Sequence, residues 1–273
     1  MTEFENIVVK ASAVPALILS IVVLCSLPVV AVIYWKMRHK EQTKISWLIA
    51  GAVGFVVSAR VLELGVHYVC IIMDNPVSRF INGHTFVFAL YGALMAGVFE
   101  ECGRYVIIRF LLKKNRTREN AVFYGLAHGG IEVLIIVVPL MITYLSIAQL
   151  FSAGDTQAAL SALKITEENA SAALPSVQAA ASFGFGMMGL NVIERVIAMT
   201  GHIGFTVIVY YGVVNGRKGY LPLAILLHML MDIGAALYQK GALPLWFVEV
   251  WGALGAIVTL FLAVRLYRRL DES

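Results

Sequence analysis

Long apolar runs broken by short polar links recur along the whole chain. Runs of the length needed to cross a bilayer, roughly 17–25 residues, fall at 11–35, 45–72, 84–112, 121–150, 186–214, 221–239 and 245–267. The pattern predicts seven helices, hence an all-α, polytopic membrane protein forming a single transmembrane domain over residues 1–273. The first run exceeds a signal-peptide core and follows "MTEFENIVVK", whose acids precede its first lysine, so it reads as a retained span.

The links alternate in charge. "KMRHKEQTK" and "LKKNRTREN" are strongly basic, "NGRKGY" holds two basic residues and the end "RLYRRLDES" three, whereas the other links hold only Arg79, Lys164 or Lys240. The positive-inside rule then puts the N-terminus outside and the C-terminus in the cytoplasm, as expected for a multi-pass protein of a bacterial inner membrane. Tyr34, Trp35, Trp47, Tyr210, Tyr211, Tyr220 and Tyr267 fall at the predicted cytoplasmic ends, and Trp246 at an outer one, as interfacial aromatics do. One connection is long: residues 151–185 carry Ala/Leu spacing with Asp155 and Thr166 as helix caps, which predicts short surface helices. These helices suit either a lid or an interfacial hairpin.

Composition agrees. The chain is 60% hydrophobic with only 14% charged residues, against about 25% in soluble domains, and its mean hydropathy is +0.82. The net charge of +4 lies in the links, so it reports topology and offers no nucleic-acid surface. Cys25, Cys70 and Cys102 lie in apolar segments without C-x-x-C spacing, which predicts packing residues.

Against this background the buried ionisable residues stand out, because each costs about 2.5–3.5 kcal/mol at a helix centre. With a rise of about 1.5 Å per residue, Glu100, Glu132, His202 and Asp232 lie about 18 Å from the cytoplasmic ends of four helices, and His128 and His228 about 12 Å. Glu100 and Arg104, His128 and Glu132, and His228 and Asp232 are each four apart and share a helix face; Arg195 and His202, seven apart, share another. Gly125, Gly129 and Gly130 would let a neighbouring backbone approach beside His128. Arg60, Glu63, Glu194 and Arg195 form a second level and are expected to make structural ion pairs. Interior carboxylates outnumber interior arginines, so protonation, imidazolium or a bound cation must restore the balance.

Three chemistries fit. In the first, Glu100, oriented by Arg104, activates water for peptide hydrolysis. Glu101 then serves as a second carboxylate, His128 and His228 polarise the carbonyl, Asp232 orients His228, and no cofactor is required. In the second, zinc is held across helices by ligands such as His128, His202 and His228, since the compact H-E-x-x-H signature is missing. In the third, the acids and histidines carry protons or ions in a transporter. A receptor would not need this many buried acids at one depth.

Taken in order, "EECGR", "YGLAHGGIE", "NVIERVIAMTGH" and "HMLMD" resemble the YhfC family of bacterial membrane proteins. That family is grouped with glutamic-type intramembrane proteases of the CAAX-processing and bacteriocin-immunity superfamily. The resemblance implies that Glu100 activates water, with Glu101 and Arg104 in the same motif, His128 in the second motif, and His228 and Asp232 in the last. It also implies Glu132 and His202 as cavity-lining residues and Arg195 as their support. Arg104 comes one residue earlier than in the superfamily's usual E-E-x-x-x-R, Tyr124 takes a Phe place, and Asp232 replaces an Asn. The expected protein is therefore a protease cutting a peptide or membrane-protein substrate, with membrane lipid as its surroundings.

Overall fold

In the computed structural model, residues 2–270 are described; Met1 and residues 271–273, the extremes of the predicted single domain, lie outside them. Helices dominate, and there is no strand among the described residues. Seven are long and apolar enough to cross a membrane: Ala13–Arg38, Ile45–Ile72, Thr85–Leu111, Arg118–Ser152, Phe185–Val214, Tyr220–Gln239 and Leu245–Arg269. They are the first to seventh spans below. Each lies within three residues of its expected bounds, because the runs end where charged links make further burial too costly.

The fourth span contains Pro139 and still runs unbroken. A π-helical turn at Val133–Val137 directly precedes the proline. Its wider winding accommodates the ring and the carbonyl that the missing N–H leaves behind. Similar π turns at Val56–Glu63 and Tyr68–Ile72 lie in the second span, and one at Ile107–Leu111 ends the third.

The chain groups into two compact units. One comprises Met1–Leu27 and Glu132–Arg195, the other Pro28–Ile131 and Val196–Ser273. In the first, Phe4, Ile147, Phe151, Leu160, Val177 and Ala180 form an apolar cluster, and the Lys10 N–H donates to the Ala181 carbonyl at 2.9 Å. Helices Thr156–Ala162 and Ala170–Ser182 belong to this unit, so the long connection carries a small core of its own. Asp155 caps the first of them, accepting from the Ala158 N–H at 2.9 Å. Thr166 does not cap the second. Asn169 is the residue there, and its side chain instead accepts from the Thr166 N–H at 2.8 Å.

In the second unit the sixth span packs along the third, and the seventh against the sixth. The stretch of the fifth span from Met199 to Val213 is almost wholly buried. Small residues set these approaches. A methyl group at Gly97 would come 2.8 Å from the Ile225 carbonyl of the sixth span, and one at Gly129 would come 3.0 Å from the His202 ring of the fifth. Packing this close in a membrane requires side chains no larger than hydrogen at the contact.

Candidate functional site

Within the second unit, four spans aim polar groups at one another. The third contributes Glu100, Glu101 and Arg104, the fourth His128, the fifth His202 and the sixth His228; all six are buried. Glu100 and Glu101 are adjacent, so about 100° of helix rotation separates their directions. Each therefore faces a different partner set, and Arg104, four residues after one and three after the other, reaches both.

The first set is Glu100, His128 and His202. Nε2 of His128 lies 2.9 Å from Oε2 of Glu100, and Nδ1 of His202 lies 3.7 Å from the same oxygen. One donor atom from each of the three residues lies within 4.8 Å of the others. The second set is Glu101, His228 and Asp232. His228 Nδ1 is 2.8 Å from Oε1 of Glu101, and its Nε2 is 3.3 Å from Oδ2 of Asp232, whose side chain is 39% exposed. His228 thus links a fully buried carboxylate to a partly open one.

Arg104 joins the sets. One guanidinium nitrogen donates to Glu101, while Nη2 donates to His202 Nδ1 at 2.7 Å and lies 3.4 Å from Glu100. A guanidinium has no lone pair to offer, so the His202 Nδ1 must be the unprotonated acceptor in this contact. Aromatic rings fix the imidazoles: Phe205 stacks on His228 with centroids 4.7 Å apart, and the edge of Phe55 meets His128 at 5.2 Å. Sequence reading missed both rings. Phe205 lies three residues after His202 on the same helix face, the one signal that pointed to it.

The predicted residues therefore divide. Glu100, Glu101, Arg104, His128, His202, His228 and Asp232 come together, whereas Glu132 and Arg195 pair with each other at 3.1 Å in the first unit. The second polar level does not form as expected. Glu194 does pair with Arg195, at 2.5 Å, but Glu63 takes His67 as its partner at 3.1 Å and Arg60 is exposed. Glu63 and His67 are four apart on one helix and share a face, and the Tyr91 hydroxyl of the third span, 3.0 Å from His67 Nδ1, holds the other side of the imidazole.

The first set could hold a metal ion. For bonds of 2.0–2.2 Å in tetrahedral geometry, ligand atoms sit about 3.3–3.6 Å apart; the separations of 2.9 and 3.7 Å from Glu100 bracket that range, and the His202 Nδ1 lone pair that now accepts from Arg104 is the one a metal would take. A set of three protein ligands leaves the fourth position that catalytic zinc keeps open. With neutral imidazoles, three carboxylates and one guanidinium leave two negative charges, which a divalent cation balances. The set differs from the three histidines expected: Glu100 takes the place of His228, because His228 points both nitrogens at carboxylates.

A buried cluster of acids and imidazoles shared among apolar spans marks an integral membrane protein with a candidate metal centre. Residues 22–251 match the family described as YhfC intramembrane metalloprotease, and the chain belongs to that family. A relative, "Uncharacterized membrane protein YhfC" of Bacillus subtilis (strain 168), is 32% identical over 259 residues, covering 95% of this chain and 96% of its own length. With seven spans and this kinship, the chain is a multi-pass membrane protein. No solved structure matches it.

Proposed function

We propose that this chain is a zinc-dependent intramembrane protease that hydrolyses a peptide bond in a membrane-associated substrate. The observation that carries the reading is the convergence of Glu100, His128 and His202 from three spans, together with the family's description as a metalloprotease. These three residues would hold the metal. When bound, it supplies Lewis acidity toward the scissile carbonyl and makes water a stronger acid.

The chain's other groups handle protons. Oε2 of Glu101 is buried and has no hydrogen-bond partner among the described residues, so it is the carboxylate oxygen free to take a proton from the attacking water. Arg104 and His228 both engage Oε1 of the same residue, which keeps the second oxygen aimed elsewhere. His228, set between Glu101 and Asp232, is placed to pass a proton on to the departing amine.

This reading differs from the glutamate-only scheme that the motifs first suggested. There Glu100 is the base, but here Glu100 is a member of the donor set. The comparisons also give no support to grouping the chain with glutamic-type or CAAX-processing proteases. The metal-dependent alternative is the better supported of the two.

The decisive experiment is metal analysis with activity on a membrane-embedded reporter peptide, before and after chelation. Zinc near one per chain, with cleavage lost on chelation and restored by zinc, is the expected result. Cleavage that persists in metal-free protein sinks the metal reading and revives the glutamate-only one.

A further inference from the structure

A second polar feature lies away from the Glu100 cluster, where the fourth, fifth and seventh spans end. A cavity of about 500 Å³ is lined on its polar side by Arg116, Thr117, Arg118, Glu119 and Tyr210. Val214 and Leu270 give it an apolar wall. The volume is that of a small-ligand site, and its position at the ends of the spans is where lipid headgroups lie.

Its lining is built for an anion. Arg116 is held rigidly, donating through Nε to the Leu112 carbonyl at 3.0 Å and through Nη2 to Ile108 at 2.9 Å. These contacts are to neutral carbonyls, and no carboxylate among the described residues forms an ion pair with Arg116. Glu119, the acid among the described lining residues, is matched by Arg118 at 3.1 Å and by the Tyr267 hydroxyl at 3.3 Å. The fourth span begins at Arg118, so the positive end of a long helix dipole also meets the cavity.

Tyr210 supplies the independent pointer to a ligand. The residue is only 2% exposed, its ring is fixed edge-on against Trp47, and its hydroxyl makes no hydrogen bond among the described residues. Tyr210 lines the cavity beside a fixed arginine and a helix N-terminus, so its hydroxyl, without a protein partner among the described residues, is available to donate to a ligand there. In sequence, the exposed Lys113, Lys114, Arg268 and Arg269 near the lining residues outnumber Asp271 and Glu272, which follow Leu270.

We propose that this cavity binds a phosphate-bearing anion, supplied by the headgroup of an acidic membrane phospholipid. Arg116 and the helix N-terminus take the charge, Tyr210 donates to a phosphate oxygen, and Val214 and Leu270 face the glycerol and first methylenes. The site is independent of the metal reading.

The test uses full-length protein in nanodiscs and in detergent. Native mass spectrometry would count phosphatidylglycerol against phosphatidylcholine, and thermal melts would compare sodium phosphate with sodium chloride at equal ionic strength. Retention of phosphatidylglycerol is expected to fall about tenfold in both Tyr210→Phe and Arg116→Gln, the loss expected for one charge-assisted hydrogen bond. Tyr210→Phe keeps the ring against Trp47, so it remains informative should Arg116→Gln misfold. Stabilisation by inorganic phosphate that disappears in Tyr210→Phe, without lipid preference, would support the same chemistry with a soluble source. Equal retention of both lipids with no phosphate effect, or binding unchanged in Tyr210→Phe, overturns the proposal.

Discussion

Nε2 of His128 lies 2.9 Å from Oε2 of Glu100, across 28 residues of sequence and between two different spans. Arg104, on the same helix as Glu100, also reaches that oxygen, with Nη2 at 3.4 Å. His202 approaches the same oxygen from a third span. The shared oxygen groups three donor atoms that could hold a metal ion and leaves His228 to other partners.

That division is testable by metal content. Protein purified without chelator should carry about one zinc per chain, and His128→Ala or His202→Ala should each lose most of it. His228→Ala should retain it, because His228 faces Glu101 and Asp232. Elemental analysis of the purified variants decides the matter, and loss of zinc from His228→Ala as well as from the other two would restore the three-histidine set.

Glu101 can be separated from the ligands in the same way. Glu101→Gln keeps shape and hydrogen-bonding capacity but removes the proton acceptor, so cleavage should fall by about 10²–10⁴-fold, the range for general acid–base catalysis. Zinc content should be unchanged. A variant that retains wild-type turnover would remove Glu101 from the proton pathway.

Arg104 is fully buried between two carboxylates. Arg104→Leu leaves both without their common cation, and breaking such a pair costs about 3–5 kcal/mol. Thermal denaturation in detergent should show a large drop, with Arg104→Lys recovering part of it through charge alone. Unchanged stability in the leucine variant would mean that the buried charges are balanced some other way.

Packing at Gly129 should be equally sensitive. A methyl group there meets the His202 ring at 3.0 Å and Cα of Met199 at 3.2 Å, so Gly129→Ala must push the fifth span away. A cost of about 1–3 kcal/mol is expected from overpacking, together with weaker zinc retention as His202 is displaced. Gly65→Ala, where nothing lies within 4 Å, is the control and should leave both measurements unchanged.

The cap at Asp155 offers a local check on the first unit. Removing its side chain in Asp155→Ala should cost about 1 kcal/mol and speed amide exchange across Thr156–Ala162, as read by hydrogen–deuterium exchange. Exchange unchanged in that helix would show that its packing against the Phe4 cluster alone holds it.

The seven spans were legible in the sequence because a bilayer imposes a length and polarity rule on each helix separately, and apolar runs satisfy that rule locally. Most of the polar cluster was legible for a related reason: buried charge is too costly in lipid to persist without a partner, so Glu100, Glu101, Arg104 and His128 advertised themselves. Pairings within one helix, such as Glu63 with His67, follow the four-residue spacing.

Partner choice between helices was a different matter. Spacing placed Glu132 and Arg195 with the cluster, yet they pair with each other, and it offered His228 beside His128 and His202, whereas the donor atoms that lie together are those of Glu100, His128 and His202. Depth along a helix follows from counting residues, but the rotation that selects a neighbour depends on small contacts such as Gly97 against Ile225 and Gly129 against His202. The sequence by itself therefore determined how many helices there are and which residues could not be left alone. Only the tertiary structure decided who meets whom, because helix rotation is settled by packing between spans and not by any one of them.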